Sequence, residues 1–446
     1  MKTTNSIHRR KNRPGTTLCG IVLAGSLLII QTAQAQEARS AKVLAVHTLA
    51  PLSLTHFGQT ADELAIAQAN GLTRTDLPAI GSGLQRLAGN HFVGITDRGP
   101  AFQRTTPSPG RVFPMPSYTP HLVFFRAGGG ELVAQTTMPI VIDDAGTPAT
   151  GIPNSPTEDA FAYANATTTN QIPFNPNGLD IEDVHSLPDG NFIVVDEYNP
   201  SIAIISDAGK VLKRYIPQGR TLPGAACAVS DTLPAILAQR RSSRGFESIA
   251  VSGDGKTAYT MTQSPLGPTA PATTPTRNSR VLRVLRLDVS DPLNATVTGQ
   301  FVLLLSPATN YPAGNRPQDL KLSAAAWVSE NKLLLLERSD ELGIGGVKLV
   351  LADLANATDV TGLAEAQTTA LENSSIDWST GPITPIATSV VYSNLETPEL
   401  DDFKLEGLAI LNRNDVALVN DNDFGTGIPA EATSKMWIIR LREPLP

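Results

Sequence analysis

A repeated hairpin pattern constrains the fold of this chain more than any other feature of its sequence. In the clearest copy, residues 177–201, alternating residues lead to the turn Pro188-Asp189-Gly190, and the apolar run 192–195 follows it. This pattern is typical of a β-hairpin. It occurs five times, with the first and last polar residues 14 to 16 positions apart. The polar pairs are Ser82 and Asp97, Glu182 and Asp196, Glu247 and Gln263, Ser323 and Glu337, and Glu406 and Asp421.

The repetition predicts an all-β fold, and specifically a β-propeller formed by residues 36–446 as a single domain. Each blade of a propeller repeats one antiparallel sheet around a central channel, so few strand edges stay open. Successive hairpins start 60 to 100 residues apart, which leaves room for two further strands in each blade. Strand-like segments at 348–352 and 390–392 suggest an additional blade, so we expect six. Segments 41–52 and 436–441 are expected to close the ring. Two sandwich domains with similar hairpins are the alternative.

Residues 1–35 have the three parts of a secretory signal peptide. Five basic residues precede an apolar run at 18–30, and small residues at 32–35 offer a cleavage site. The apolar run is shorter than a typical membrane-spanning helix. We therefore expect a periplasmic or secreted protein, with a retained membrane anchor as the alternative. Cys227 would be the only cysteine of the mature chain, so no intrachain disulfide is expected.

The charge of the chain limits the classes of partner. Removal of residues 1–35 takes away five basic residues and no acidic one, which changes the formal net charge from −7 to −12. An acidic exported protein is a poor candidate for binding nucleic acid or anionic membranes. No later apolar stretch approaches the length of a membrane span. A small anionic or ester substrate and a divalent cation are the expected ligands.

Acidic residues at the open ends of the hairpins are the candidate catalytic and metal-binding groups. Antiparallel pairing brings the two ends of each hairpin together, and carboxylates that converge repel one another unless they share a cation or a proton. Oxygen ligands with little histidine favour Ca²⁺. The predicted metal ligands are Asp180, Glu182, Asp196 and Asp421. The predicted catalytic residues are Glu182, Asp196, Glu247 and Glu406. The alternative is that these acids cap strand ends or pair with arginines.

Three arginines lie beside hairpin ends and are predicted to bind an anionic substrate. Guanidinium groups recognise phosphate and carboxylate through paired hydrogen bonds. Salt bridges to the acidic ring are the alternative role. Two further polar residues, which also lie at hairpin ends, complete the predicted substrate-binding set. The set is Arg98, Arg244, Arg338, Tyr198 and Gln263.

Several well-known catalytic motifs do not occur in the sequence. The G-x-S-x-G elbow of serine esterases, the HExxH zinc motif and the P-loop with its lysine are all missing. No base stands beside a serine in a recognisable pattern either. A conventional serine esterase is therefore not expected.

The hairpin ends resemble the phytase-like family, also described as having the esterase-like activity of phytase. The resemblance covers roughly residues 75 to 440 and is carried by segments 82–84, 97–100, 180–182, 187–190, 196–201, 244–247, 263–266, 335–338, 403–408 and 419–424. It implies a propeller and the metal-assisted hydrolysis of an ester or phosphoester. The chain departs from the family pattern at Asp183, where glycine is usual, and at Ala326-Trp327. It also lacks the DDPA-type motif of calcium-dependent propeller phytases.

The sequence thus predicts an exported hydrolase of phosphate or carboxylic esters that works at the mouth of a propeller channel with the help of Ca²⁺. The alternative is a non-catalytic propeller that binds a ligand or partner and uses its acids and arginines as a structural ring.

Overall fold

The alternating segments of the sequence form β-strands in the computed structural model, which describes residues 40–155, 160–339, 345–402, 404–426 and 432–446. Within that range, residues 41–446 form one compact unit. The predicted signal peptide, residues 1–35, lies outside the described residues. The strands are, in chain order, β1 (Lys42–Leu49), β2 (Leu84–Ala88), β3 (His91–Ile95), β4 (Phe102–Arg104), β5 (Gly110–Val112), β6 (His121–Gly128), β7 (Glu131–Pro139), β8 (Ala162–Tyr163), β9 (Gln171–Ile172), β10 (Ile181–Ser186), β11 (Phe192–Asp196), β12 (Ser201–Ile205), β13 (Val211–Pro217), β14 (Ala228–Leu233), β15 (Phe246–Val251), β16 (Thr257–Thr262), β17 (Val281–Asp288), β18 (Thr296–Leu304), β19 (Lys321–Ser329), β20 (Lys332–Ser339), β21 (Gly346–Asp353), β22 (Ala387–Ser393), β23 (Leu405–Ile410), β24 (Asp415–Asn420) and β25 (Lys435–Arg440).

Helical structure is a minor part of the described chain. The α-helix α1 (Ala61–Ala69) begins at Thr60, whose side chain accepts a hydrogen bond from the Glu63 backbone, and the Glu63 carboxylate accepts one from the Thr60 backbone N–H. This reciprocal capping satisfies backbone donors that a helix start would otherwise leave unpaired. Short 3₁₀ turns occur at Leu54–Phe57, Ala235–Gln239, Pro292–Asn294, Ala308–Asn310, Pro317–Asp319, Ala364–Gln367, Asn394–Glu396 and Asp423–Gly425. No helix in the described ranges is long and apolar enough to cross a membrane.

All five predicted hairpins are present. They are β2–β3, β10–β11, β15–β16, β19–β20 and β23–β24, each paired antiparallel. In the clearest copy the turn ends at Gly190, whose φ of 90° lies in the left-handed region that glycine adopts without strain. The local alternation pattern was therefore sufficient to locate them.

Each hairpin is the inner half of a four-stranded blade. The blades comprise β2-β3-β6-β7, β10-β11-β12-β13, β15-β16-β17-β18, β19-β20-β21-β22 and β23-β24-β25-β1. We number them blades 1 to 5 in this order and call β2, β10, β15, β19 and β23 the inner strands. The inner strands contact one another in a closed cycle, from β2 through β10, β15, β19 and β23 back to β2. This cycle is the arrangement of a β-propeller.

The described residues contain five blades, whereas the sequence led us to expect six. The segments expected to form an additional blade are β21 and β22, and both pair within blade 4. The long connection between them, residues 354–386, hid this pairing in the sequence. β14 adds a parallel edge strand to blade 2. A separate small sheet, β4-β5-β8-β9, is inserted in two parts around β6 and β7 of blade 1.

The ring is closed by the two ends of the described chain, as the sequence predicted. β1 pairs antiparallel with β25 and forms the outer strand of blade 5. Its last residues also pair with β7 of blade 1. Apolar side chains fill the spaces between neighbouring blades. Leu334 and Leu349 of blade 4, for example, share one buried cluster with Leu418 and Trp437 of blade 5.

Candidate functional site

A β-bulge recurs at the beginning of the inner strand in four of the described blades. In blade 2 the pairing with β11 shifts between Ile181 and Asp183, which leaves Glu182 as the extra residue. Such bulges turn one side chain out of the regular alternation and are common beside functional sites. The equivalent bulge residues are Glu182, Glu247, Ser323 and Glu406. The first polar residue of these four predicted hairpins therefore occupies one repeated structural position.

In two hairpins, the strand register shows that the second polar residue predicted from the sequence does not face the site. Asp196 pairs with Ile181, and Glu337 pairs with Leu322, so both belong to the regular ladder. The equivalent ladder positions in blades 3 and 5 are Thr262 and Asn420. The residue after each ladder position faces the site, and these residues are Glu197, Gln263, Arg338 and Asp421. In two of the predicted pairs, 182 with 196 and 323 with 337, the second residue that faces the site is therefore the next one along the chain, Glu197 and Arg338.

The hairpin ends surround a polar cavity of about 300 Å³. Six carboxylates and six cationic side chains are among its lining residues. The acidic members are Asp97, Glu182, Glu197, Glu406, Asp421 and Asp423. The basic members are Arg98, Arg111, Arg244, Lys321, Arg338 and Lys404. The cavity therefore has balanced formal charge, unlike the net-acidic ring that the sequence suggested.

Arg98 lies at the centre of the acidic groups. Its Nη1 donates a hydrogen bond to Asp180, and its backbone N–H donates to Asp180 Oδ1 at 3.3 Å. The same Nη1 lies 3.8 Å from Glu182 Oε1 and 3.7 Å from Glu197 Oε2. Nη2 lies 3.9 Å from Asp97 Oδ2. One guanidinium, on a side chain that is 14% exposed, thus lies within 4 Å of four carboxylates, and its single positive charge reduces the cost of burying them.

Asp196 has a structural environment and does not line the cavity. Its Oδ1 accepts hydrogen bonds from the backbone N–H groups of Asp180 and Tyr198 at 2.8 and 2.9 Å. Its Oδ2 accepts from Ser201 Oγ and Arg214 Nη2, both at 2.7 Å. Four donors satisfy this fully buried carboxylate. The structure therefore supports neither the catalytic nor the metal-binding role predicted for Asp196.

Tyr198 also lies away from the cavity, in contrast to its predicted role in substrate binding. Its hydroxyl donates to the Gly151 carbonyl at 2.9 Å. A Cβ atom at Gly151 would lie 1.7 Å from the Arg98 carbonyl oxygen, so this loop packs directly on the Arg98 backbone. Tyr198 consequently fixes a loop that supports Arg98.

Three buried glutamates near the cavity hold protons more tightly than usual. Burial and the neighbouring Asp180 raise the pKa of Glu197 to about 7. Burial, with Asp180 and Glu247 nearby, raises the pKa of Glu182 well above its usual value. Burial, with Glu406 and Glu197 nearby, does the same to the pKa of Glu247. These carboxyl groups therefore keep their protons to a higher pH than an exposed glutamate does.

Glu197 and Glu247 each have one oxygen with no hydrogen-bond partner among the described residues. The unpaired atoms are Glu197 Oε1 and Glu247 Oε2. Glu247 Oε1 accepts from Gln263 Nε2 at 2.6 Å, so Glu247 lies behind Gln263, which itself lines the cavity. Glu197 lines the cavity directly. This unpaired oxygen is itself buried, so a ligand would reach Glu197 only through the part of its side chain that lines the cavity.

Two groups of ion-paired side chains form another part of the cavity wall. Arg338 donates to Ser323 Oγ at 2.6 Å through Nε and to Glu406 through Nη2. Lys404 Nζ donates to Asp421 and, at 2.8 Å, to Asp423 Oδ1. The three predicted arginines Arg98, Arg244 and Arg338 all line the cavity, but each also has partners within the protein.

Two acidic triads have oxygens close enough to hold a metal ion. They are Asp180–Glu182–Glu197 and Asp97–Asp421–Asp423, and within each triad the ligand atoms lie within 4.8 Å of one another. Carboxylate oxygens are suitable donors for a hard cation. Arg98 already contacts the first triad and Lys404 the second. A metal would therefore have to displace or share these cations.

The cavity contains residues that the sequence reasoning missed. Gln103 of β4 and Arg111 of β5 come from the small inserted sheet, for which no pattern was visible. Lys321 and Lys404 each precede a bulge residue by two positions, as Asp180 precedes Glu182. This repeated spacing was a signal in the sequence that could have identified both lysines.

Comparison with known proteins identifies a family for most of the chain. The family model described as "Phytase-like: Esterase-like activity of phytase" matches residues 77–424. A search of curated protein sequences gives no match. The matched range includes every cavity residue described above.

The solved structures that match this chain have very different sequences. A luciferin-regenerating enzyme is 10% identical, with 82% of this chain and 92% of that chain covered and a TM-score of 0.33. The hydrazine synthase of Kuenenia stuttgartiensis is 11% identical, with 82% and 97% covered and a TM-score of 0.36. The PQQ-bound aldose sugar dehydrogenase of Streptomyces coelicolor is 9% identical, with 83% and 97% covered and a TM-score of 0.31. Similarity this low supports no conclusion about activity.

Proposed function

This chain belongs to the phytase-like family, and from that premise we propose that its polar cavity hydrolyses a phosphate or carboxylic ester with an anionic group. The proposed location is periplasmic or secreted, because residues 1–35 have the pattern of a signal peptide. One observation carries the proposal. A carboxyl group with a pKa of about 7 lines a cavity that also contains several guanidinium groups.

Glu197 is the proposed general acid. A proton donor is most effective when its pKa lies near the working pH, and burial beside Asp180 gives Glu197 such a pKa. Its Oε1 has no hydrogen-bond partner among the described residues. Glu197 also lines the cavity, so the leaving-group oxygen of a bound ester would lie beside its carboxyl group.

Arg111 and Arg244 are the proposed binding groups for the anionic part of the substrate. Arg111 Nη2 donates to Ser243 Oγ at 3.3 Å, and Arg244 Nη1 donates to Ser264 Oγ at 2.8 Å. Both side chains line the cavity, and Arg111 is among the cations whose charge acts on Glu197. Such hydrogen bonds hold each guanidinium group in a defined orientation at the cavity wall.

The proposed step is a hydrolysis with one proton transfer in each direction. Glu197 donates its proton to the leaving-group oxygen as the bond between that oxygen and phosphorus or the acyl carbon breaks. A water molecule forms the new bond to that centre and returns a proton to the Glu197 carboxylate. Glu247 acts through Gln263, and Glu406 acts through Arg338, so both are assigned to positioning.

The proposed Ca²⁺ site is the triad Asp97–Asp421–Asp423. Asp423 is the most exposed of the acids bonded to Lys404, at 27% of its side chain, and Lys404 is 20% exposed. A flexible lysine near solvent can be displaced more readily than Arg98, whose guanidinium and backbone both bind Asp180. Bound Ca²⁺ would supply a positive charge that polarises the ester.

The test is ester hydrolysis by purified residues 36–446. Nitrophenyl phosphate, bis-nitrophenyl phosphate, nitrophenyl acetate and phytate would each be assayed with EDTA and again with excess Ca²⁺. Turnover of one class would support the hydrolase and identify the bond. Loss in EDTA with recovery in Ca²⁺ would support the metal, and an Asp423→Asn variant should then require more Ca²⁺ for half-maximal activity.

A second candidate function is a binding propeller without catalysis. It is favoured by the ion pairs that cavity residues form with one another. Arg338 binds Glu406, and Lys404 binds Asp421 and Asp423. Such pairs can serve structure alone. No turnover of any of the four esters, together with saturable binding of phosphate that Arg111→Gln weakens, would favour this function.

A further inference from the structure

A second cavity, of about 420 Å³, lies at the opposite end of the inner strands. Glu182 at the start of β10 lines the polar cavity, whereas Ser186 at the end of the same strand lines the second one. Ser186 lies four positions after Glu182, which corresponds to about 13 Å along the strand. We call this second space the lower cavity. Its volume is within the range of small-molecule sites.

An apolar layer separates the two cavities. It consists of the inner-strand residues that lie two positions after the first polar residue of each hairpin. Each of these residues is at most 4% exposed. These residues are Leu84, Val184, Ile249, Ala325 and Leu408. All five line the lower cavity. Because the layer is closely packed, a ligand of the lower cavity need not share the chemistry of the polar cavity.

The charge of the lower cavity is set by Arg86. Arg86 is the only Lys, Arg, Asp or Glu among the described lining residues. Its Nε donates to the Gly89 carbonyl at 2.8 Å and its Nη1 to the Leu411 carbonyl. These bonds fix the guanidinium but leave its charge without a carboxylate partner in the described part of the chain. The lower cavity is therefore complementary to an anion.

Trp327 provides an aromatic wall. It lines the lower cavity and also an adjacent cavity of about 340 Å³, so ligand-accessible space lies beside its ring. A Cβ atom at Gly253 would lie 3.1 Å from Trp327 Cζ3, which shows that the ring packs on the Gly253 backbone. A ring held in this way is a rigid surface for stacking another aromatic ring.

Neutral hydrogen-bonding groups complete the lining. Gln85 Nε2 donates to Ser186 Oγ at 2.9 Å, and Gln85 Oε1 accepts from the Ser186 backbone at 2.7 Å. His185 Nδ1 lies 2.7 Å from the Ser186 carbonyl oxygen, and burial lowers the pKa of His185. The histidine is therefore uncharged at neutral pH and adds no cation beside Arg86.

We propose that the lower cavity binds a small aromatic anion, with its ring against Trp327 and its acidic group at Arg86. This site is independent of the proposed hydrolysis. It uses Trp327, which stands where the sequence departs from the family pattern, and a basic residue that the polar cavity does not include.

The probe is the aromatic sulfonate 1-anilinonaphthalene-8-sulfonate, titrated by fluorescence against the folded protein of residues 36–446. One site per chain is expected. Arg86→Gln and Trp327→Ala should each weaken binding about tenfold, since a charged hydrogen bond or an aromatic contact is lost. Arg86→Lys should bind within about threefold of the unmutated protein because it keeps the charge.

Matched variants and a neutral dye distinguish this site from general adhesion of the dye. Trp378→Ala removes a partly buried tryptophan of a different apolar cluster, and Arg126→Gln removes an exposed arginine of β6. Both should leave the affinity unchanged.

Uncharged Nile red should lose affinity in Trp327→Ala but not in Arg86→Gln. Equal effects of Trp327→Ala and Trp378→Ala, or no effect of Arg86→Gln on the sulfonate, would overturn the proposal, as would the absence of saturable binding. Melting temperatures would identify any variant that fails to fold, and Arg86→Lys then serves as the folded comparison.

Discussion

At the scale of one residue, burial gives Glu197 a pKa that suits proton transfer. As the proposed general acid it must be protonated, and its pKa of about 7 lies far above that of an exposed glutamate because burial and Asp180 disfavour the charge. We predict that kcat/KM falls about tenfold for each pH unit above that value. A pH–rate profile on the best ester substrate would measure this. A rate independent of pH from 6 to 9 would contradict the assignment.

Asp196 illustrates the opposite outcome, a buried carboxylate that is fully satisfied. Asp196→Ala would leave Arg214 buried without its partner and remove two bonds to backbone N–H groups. The predicted loss is about 3 to 5 kcal/mol in the free energy of unfolding, measured in urea. Asp207, an exposed turn residue of the same blade, is the control, and Asp207→Ala should change stability by less than about 0.5 kcal/mol.

The difference between these two acids could not be read from the sequence. Asp196 and Glu197 are adjacent, and both stand at a hairpin end. Which one enters the cavity depends on the bulge at Glu182, a shift of one residue in strand pairing. Since such a shift exchanges the two faces of a strand, the residue types alone do not decide it.

At the scale of elements, β1 is the most consequential strand because it joins the two ends of the ring. It pairs with β25 over residues 42–48 and covers the edge of the strand that carries Trp437. We predict that a chain beginning at residue 52 loses cooperative unfolding and becomes more sensitive to protease, since an open sheet edge is exposed. A chain beginning at residue 36 should behave like the full protein.

Urea unfolding followed by tryptophan fluorescence, with limited proteolysis in parallel, would measure the effect of removing β1. Equal midpoints and equal slopes for the two chains would show that β1 does not close the ring in solution.

Elements with local signals were predicted well, and those that depend on distant pairing were not. The inner hairpins follow from alternation and turn residues within about 20 positions, as the Pro188–Gly190 turn shows. β22 pairs with β21 across more than 30 intervening residues, so its blade was misassigned. The two-residue strands β8 and β9 have too few positions to show any periodicity.

For the molecule as a whole, the buried carboxyl groups predict how stability depends on pH. The folded pKa of Glu197, about 7, lies above its unfolded value, and burial likewise raises the pKa values of Glu182, Glu247 and Asp97. Such groups stabilise the fold at low pH, and this contribution is lost as the pH rises through their folded pKa values. The melting temperature should therefore fall between pH 6.5 and 8.5.

The buried histidines oppose this trend only in the lower part of the chosen range. Burial lowers the pKa of His121 to about 4, so its contribution to stability grows until the pH is about one unit above 6.5, the pKa of an exposed histidine. Glu197→Gln should flatten the decline because it removes one of the titrating groups. Calorimetric melting of both proteins would test this, and a melting temperature that rises from pH 6.5 to 8.5 would contradict it.

The propeller arrangement and the position of its polar cavity were predictable because five hairpins repeat the same polar ends. The blade number and the charge balance of the cavity were not, since both depend on residues that the repeat does not include. Arg111 reaches the cavity from the inserted sheet. Lys404 supplies a positive charge among the acidic residues that the sequence predicted there. The proposed chemistry rests on this mixture of acids and cations.

The most direct measurement is the turnover of the best ester substrate by Glu197→Gln, relative to the unmutated protein, with the melting temperature of both. Glutamine has nearly the same shape but cannot donate the proton, so we predict a loss of at least about 100-fold in kcat. The melting temperature should be unchanged or slightly higher, because a buried carboxyl group has been removed. Unchanged turnover, or a loss of activity matched by a loss of folding, would contradict the proposal that Glu197 acts as the acid in this cavity.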